Sequence, residues 1–285
     1  MREYEQIKYS VDGPVVTVSL NRPAARNGYT VMMSKELADA FAVADSDDSV
    51  RVVVFTGEGK DFCVGADLSG GSFDTTGDAD LDETFLEPAG QCSMQIFRMN
   101  KPVIAAIRGV AVGAGSSILL SADFRLAAED ARFGFVFTRR GIVPEGASTW
   151  FLPRLVGLPT AVDWMISGRV FGAEEARAAG LVTEIQPEGR LLARAYEIAH
   201  ELVANTAPVS VAITRQLLYR MSSQDLPFST QLLHSKLIAN VLTTADAAEG
   251  VTSFLERRRA NFPGKVSADL PSFLPWVESP ADEMA

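Results

Sequence analysis

The chain has 285 residues, is 47% hydrophobic and carries a formal charge of −10, from 36 acidic against 26 basic side chains. That apolar content can bury a sizeable core, whereas the acidic balance argues against a nucleic-acid surface, which needs a basic field. Two cysteines, Cys63 and Cys92, are too few for a disulfide framework or a structural zinc site, no run approaches the ~18 apolar residues of a membrane span, and residues 1–10 lack the apolar core of a signal peptide, so a cytoplasmic protein without a metal is expected.

Residues 4–20 alternate in short β-type runs around Asp12-Gly13 and predict a hairpin. Residues 21–29 form a polar loop. Leu37, Ala40, Phe41 and Ala44 recur at helical spacing over 34–44, with Ser34 as the expected cap. Residues 50–56 predict a buried strand and 57–68 a loop. Residues 70–90, rich in Gly, Asp and Thr, predict a mobile surface excursion. A helix ends at Met99, Val103–Ile107 and 124–127 predict further strands, and this alternation points to a mixed α/β fold. After Trp150 the periodicity turns helical, over 161–166, 173–179, 191–205, 209–219, 232–242 and 245–259. The expected division is an α/β core (1–200), a helical region (201–265) packing on the core or on a neighbouring subunit, and an extended tail (266–285) with scattered prolines and aromatics.

The chemistry concentrates in residues 101–145. A β-branched run enters a loop of Gly109, Gly113, Ala114 and Gly115, and a helix-like apolar stretch, 116–122, follows. Small residues at a helix N-terminus present free backbone N–H groups and the positive end of a dipole, which suits a phosphate or an enolate oxygen. The glycines lack the G-x-G-x-x-G order of a dinucleotide fold, residues 57–60 are too short for a phosphate-binding P-loop, and Ser148 is in no nucleophile elbow. Asp67 is expected to cap a helix, Asp123 to be structural, and His200 and His234 to be solvated or satisfied on amphipathic helices.

The ordered set LNRPAARN (20–27), DFCVGADL (61–68), KPVIAAIRGVAVGAG (101–115), AEDARFG (128–134), LPRLVG (152–157) and FLERRRANF (254–262) resembles the crotonase (enoyl-CoA hydratase/isomerase) superfamily over about residues 1 to 265. The resemblance implies a spiral of repeated ββα units with C-terminal helices that build a homotrimer or a hexamer (a dimer of trimers). It implies an acyl-CoA thioester as substrate, with coenzyme A entering only as part of that thioester and no other cofactor. It places the oxyanion-binding N–H groups at Ala66 and Ala114. Contacts to CoA or substrate fall on Ala24, Arg26, Val64, Gly65, Asp67, Leu68, Gly113, Ser117, Phe137, Arg257 and Lys265.

Hydratases of the superfamily use two glutamates, and the matching places here are Ser117 and Phe137. Without them, activation of water lacks its acid and base. One acid remains at a turn where related isomerases carry a carboxylate, Glu145 in GIVPEG. A single carboxylate suffices to move a proton between two carbons of a dienolate, and Phe135, Phe137 and Trp150 are expected to raise its pKa. Local sequence alone leaves Glu145 open between this role and an ion pair with Arg139 or Arg140. The resemblance favours an enoyl-CoA isomerase. A hydratase with non-standard acid/base groups and a non-catalytic acyl-CoA-binding homologue remain as alternatives.

Overall fold

The computed structural model describes residues 3–70, 85–222 and 226–276. The expected excursion at 70–90 therefore lies mostly outside the described residues, as does the last part of the expected tail.

The hairpin forms as β1 (Ile7–Asp12) and β2 (Val15–Leu20), paired antiparallel, with Gly13 at φ 54° in its turn. α1 (Val31–Ser46) begins three residues before the expected cap. Its N-cap is Thr30, whose Oγ1 accepts from the Met33 N–H at 3.0 Å, and Ser34 instead donates from inside the helix to the Pro88 carbonyl at 2.6 Å. β3 (Val52–Gly57), α2 (Pro88–Arg98), β4 (Val103–Ile107), β5 (Val110–Val112), α3 (Ala114–Ile118), β6 (Phe124–Ala128) and β7 (Arg132–Gly134) follow. Next come α4 (Ser148–Val156), α5 (Leu158–Ser167), β8 (Val170–Gly172), α6 (Ala173–Ala178) and β9 (Glu184–Gln186). The rest is helical: α7 (Glu188–Asn205), α8 (Pro208–Met221), α9 (Phe228–Val241), α10 (Ala245–Glu256) and α11 (Val266–Asp269).

The larger sheet has the order β1-β2-β3-β4-β6-β9 and is parallel apart from β1. The smaller has the order β5-β7-β8. Both faces of the larger sheet are covered, which is why β3 reads as a continuous apolar run rather than an alternating one. Val53 and Phe55 join the core shared with Phe41 of α1 and Ile96 of α2. Val52 and Val54 face the other way and join Leu191, Ala195 and Ile198 of α7. The boundary expected at residue 200 thus falls inside α7, a helix that belongs to the sheet.

The segment after 265 is not simply extended. α11 forms, and Leu270, Leu274 and Trp276 pack with Val209, Ile213 and Leu237 of α8 and α9. Asp123 is structural, as expected: it accepts from the Val103 N–H at 2.7 Å, from Arg215 at 2.9 Å and from the Tyr219 hydroxyl at 2.8 Å, locking α8 to the sheet. His200 and His234 are exposed. Among the described residues no helix is long and apolar enough to cross a membrane.

Candidate active site

Two loops meet beyond the C-terminal ends of β3 and β4. After β3 the chain runs alongside β5: the Cys63 N–H donates to the Val110 carbonyl at 2.9 Å, and the Val112 N–H donates to the Cys63 carbonyl at 3.1 Å. Only a glycine fits at 115, because a Cβ there would stand 2.4 Å from the Cys63 carbonyl oxygen. A Cβ on Gly113 would lie 3.6 Å from the Gly65 Cα, which measures how closely the two loops approach.

Each loop presents a backbone donor that is given to no described residue. Tyr29 bridges to the first loop through its own N–H, given to the Gly65 carbonyl at 2.8 Å, and through the Asp67 N–H, given to the Tyr29 carbonyl at 2.9 Å. The Ala66 N–H between them donates to no described residue. Ala114 is the first residue of α3, so its N–H is one of the donors a helix leaves unpaired. Two preorganised N–H groups on adjacent loops can receive a developing oxyanion without reorganising.

Buried polar groups brace these loops. The Asn27 amide donates to the carbonyls of Asp61 (2.8 Å) and Glu58 (3.0 Å). Asp61 accepts from the Val110 N–H at 2.9 Å and from Arg26 at 2.7 Å. Burial alone would raise the Asp61 carboxyl, but its bonds to Arg26 and Val110 outweigh that and hold it below the usual range. Arg26, expected to contact CoA or substrate, thus already has a carboxylate partner, although its side chain remains 59% exposed. Asp67 caps no helix among the described residues. It accepts from the Ser69 N–H and pairs with Arg22 at 2.7 Å, and these bonds, led by Ser69, hold it down to about 2. Ala24 and Leu68 are exposed on the rim, and Val64 is half-buried.

Glu145 lies on the turn that leads into α4 and is half-buried. Its carboxyl has no hydrogen-bond or ion-pair partner among the described residues. The pairing with Arg139 or Arg140 left open by the sequence is not made: Arg139 donates to the Ser167 carbonyl at 2.8 Å. Burial, followed by the charge of Glu87, pushes the Glu145 carboxyl up to about 7. The turn packs on α3, since a Cβ on Gly146 would stand 3.1 Å from the Ser117 Cβ and 3.1 Å from the Ser93 Oγ. The acid therefore sits beside the helix whose first residue is Ala114.

At the two places where the resemblance implies hydratase glutamates, Ser117 is fully buried and Phe137 belongs to the core. The hydroxyls of Ser93, Ser117 and Ser148 are buried without a partner among the described residues. Within one chain, Lys265 lines a cavity of about 340 Å³ with Asp48, Arg51 and Lys101. That cavity opens at the N-terminal ends of β3 and β4, at the opposite end of the sheet from the two loops. Arg257 ends α10 in a left-handed conformation, φ 53°, within the C-terminal helical region.

The sequence reading missed Glu87. It caps α2 by accepting from the Gly90 N–H at 2.7 Å and reaches the Glu145 turn by accepting from the Gly146 N–H at 2.7 Å. The available signal was Pro88, which in the first helical position marks the preceding residue as the cap.

The raised pKa of Glu145 has a consequence for stability. In the unfolded chain the carboxyl ionises near its ordinary 4.5, and in the folded protein near 7. Between those values the native state holds the extra proton, so stability is greatest at the acidic end and falls as pH rises through about 7. Glu145→Gln abolishes this penalty and is expected to stabilise the protein by about 1–3 kcal/mol at pH ~8, after allowance for partial exposure, and by little at pH ~5. Thermal unfolding of both forms at the two pH values checks this, and equal gains at both would refute it.

Comparison with known proteins places this geometry. Residues 11–265 match the enoyl-CoA hydratase/isomerase family. The chain is 39% identical to an enoyl-CoA hydratase of Alternaria alternata, over 88% of this chain and 85% of the relative. It is 33% identical to the 1,2-epoxyphenylacetyl-CoA isomerase of Escherichia coli, over 92% and 99%. Among solved structures, the enoyl-CoA hydratase of Bacillus anthracis superposes with a TM-score of 0.81 at 30% identity, covering 92% of this chain and 100% of that one. The enoyl-CoA hydratase of Mycobacterium tuberculosis superposes with a TM-score of 0.81 at 28% identity, covering 91% and 99%. The chain has the crotonase fold and belongs to the enoyl-CoA hydratase/isomerase family, whose members process acyl-CoA thioesters.

Proposed function

We propose that the protein is an enoyl-CoA isomerase that moves a double bond through a dienolate, with Glu145 carrying the proton. The observation that carries this reading is a half-buried carboxyl without a partner among the described residues, poised near 7, on a turn packed against α3. The Glu145 carboxylate takes a proton from Cα of a 3-enoyl thioester. The electron pair delocalises onto the thioester oxygen, which the N–H groups of Ala66 and Ala114 receive. The protonated Glu145 then returns its proton to Cγ, and the double bond settles between Cα and Cβ. A pKa close to the working pH makes one group both an adequate base and an adequate acid.

The first step needs the ionised form. kcat/KM for isomerisation is therefore expected to rise with pH through a single ionisation near 7 and then level off. A profile flat across that region would remove Glu145 from the proton transfer.

A second reading, hydration, has one observation in its favour. The hydroxyls of Ser93 and Ser117 beside the Glu145 turn are buried and have no partner among the described residues, which leaves polar groups unspent next to the acid. The two activities differ in product, since hydration adds one water and isomerisation adds nothing.

The same reading includes assembly. Phe228, Leu232 and Ile238 on α9, Leu242 just after it, and Val251, Phe254 and Leu255 on α10 are exposed in the single chain, more apolar surface than a solvated appendage carries. A homotrimer or hexamer is expected by light scattering at micromolar protein, and a monomer mass would count against it.

A further inference from the structure

Glu87 does more than a helix cap needs. The residues favoured at a cap are Ser, Thr, Asp and Asn, whose short side chains reach the first free N–H groups of the same helix. A glutamate is longer, and here the extra length is used. One carboxylate oxygen accepts from the Gly90 N–H of α2 at 2.7 Å, and the other accepts from the Gly146 N–H at 2.7 Å. Both are charge-assisted bonds, roughly twice as strong as neutral ones.

The turn that Glu87 holds is closed by one bond of its own, from the Ser148 N–H to the Glu145 carbonyl at 3.0 Å, and it carries backbone strain. Gly146 and Ala147 are consecutive left-handed residues, φ 62° and 52°, and the second carries a Cβ that disfavours that conformation. Glu145 immediately precedes them. The placement also sets one carboxylate facing another, an arrangement that weakens the fold unless the second group is used protonated.

We propose that Glu87 is the positioning residue for Glu145, its carboxylate tying the acid's turn to the start of α2 and facing the acid. This rests on the reading of Glu145 as the proton carrier. The groups that face Glu145 from its packed neighbours are Glu87 at the start of α2, Tyr29 before α1, and Cys63 on the first loop; Cys92 of α2 faces Tyr29 and Glu87. Burial pushes the Tyr29 hydroxyl well above its ordinary value, the Cys63 thiol up to about 12 and the Cys92 thiol up as well, so these three stay neutral. Arg139 and Arg140, close in sequence, make no ion pair with Glu145, and Arg139 is held by the Ser167 carbonyl. Among the described residues, Glu87 supplies the negative charge that adds to burial in keeping Glu145 protonated near neutrality.

Two variants of the full chain test this. Glu87→Gln removes the charge at nearly constant size. NMR titration of isotope-labelled glutamate carboxyls, with the Glu145 signal assigned from its loss in Glu145→Gln, is expected to show Glu145 titrating at lower pH in Glu87→Gln than in wild type. An unmoved or raised midpoint overturns the proposal. Glu87→Asp keeps the charge and is the better cap, but it is too short to span from α2 to Gly146. It is expected to stay folded, with some loss of thermal stability from the lost Gly146 bond, and to isomerise ~10–100-fold more slowly at unchanged KM, the scale on which misplacement of a catalytic group is felt. A Glu87→Asp enzyme with the wild-type rate would mean that Glu87 only caps. The titration does not depend on turnover. A wild type that titrates as expected but isomerises nothing would therefore refute the function assigned to Glu145 and leave the coupling between the two carboxylates standing.

Discussion

Glu145→Gln is expected to slow isomerisation of a 3-enoyl-CoA by ~10²–10⁴-fold, the usual scale for loss of a general acid–base group, while binding of the CoA ester changes little. Glutamine keeps the size and polarity of the side chain and cannot carry the proton. The same substitution is expected to stabilise the fold at neutral and alkaline pH, because it removes a carboxylate that burial and Glu87 both disfavour. A gain in stability together with a loss of rate marks a residue kept for its chemistry. Steady-state kinetics with a direct binding measurement separate the two effects. Equal rates in wild type and variant would make the assignment wrong. If neither turned over and both bound acyl-CoA, the chain would be a binding homologue.

Ala114→Pro is the second large effect expected. The oxyanion donors are backbone groups, so no side-chain truncation removes them. Position 114 is the first residue of α3, where a proline is tolerated by the helix because its N–H has no intrahelical partner. The substitution deletes the N–H and puts a ring carbon where it pointed. Turnover in any enolate reaction is expected to fall by at least ~100-fold, in line with the loss of a single oxyanion donor elsewhere. Circular dichroism and thermal unfolding confirm that the variant is folded. A folded variant with unchanged turnover would place the thioester oxygen elsewhere.

Much of the architecture was legible because it rests on long periodic segments. The hairpin of β1 and β2 was marked by Asp12-Gly13, and α7 to α10 by apolar spacing sustained over eleven residues or more. The strands β5, β7, β8 and β9 are three residues each, too short to show any period, and they exist because their neighbours pair with them. α4 was hidden by Pro153 in its interior, a residue that argues against a helix locally and is accommodated close to the helix end. Thr30 displaced Ser34 as the cap of α1 because the apolar pattern starts a turn later than the helix does.

The site divides in the same way. Gly113, Ala114 and Gly115 are contiguous and announced themselves as a loop at a helix start. Glu87 lies 58 residues before Glu145 in the sequence, and nothing local says that its carboxylate reaches the Gly146 N–H. Asp61 and Asn27 likewise brace the loops through bonds to distant backbone. Contacts between segments far apart in the chain carry the electrostatics of Glu145, and only the folded chain brings them together.

The central claim is that this chain shifts a double bond and does not add water. The most direct test incubates the wild-type protein separately with a 3-enoyl-CoA and a 2-enoyl-CoA in heavy water and identifies the products by mass spectrometry. The account predicts that the 3-enoyl-CoA becomes the 2-enoyl isomer with no added oxygen and with the Cα hydrogen carried to Cγ, deuterium entering only as far as the protonated Glu145 exchanges with solvent, while the 2-enoyl-CoA takes up no water. A 3-hydroxyacyl-CoA as the main product from the 2-enoyl-CoA would contradict it.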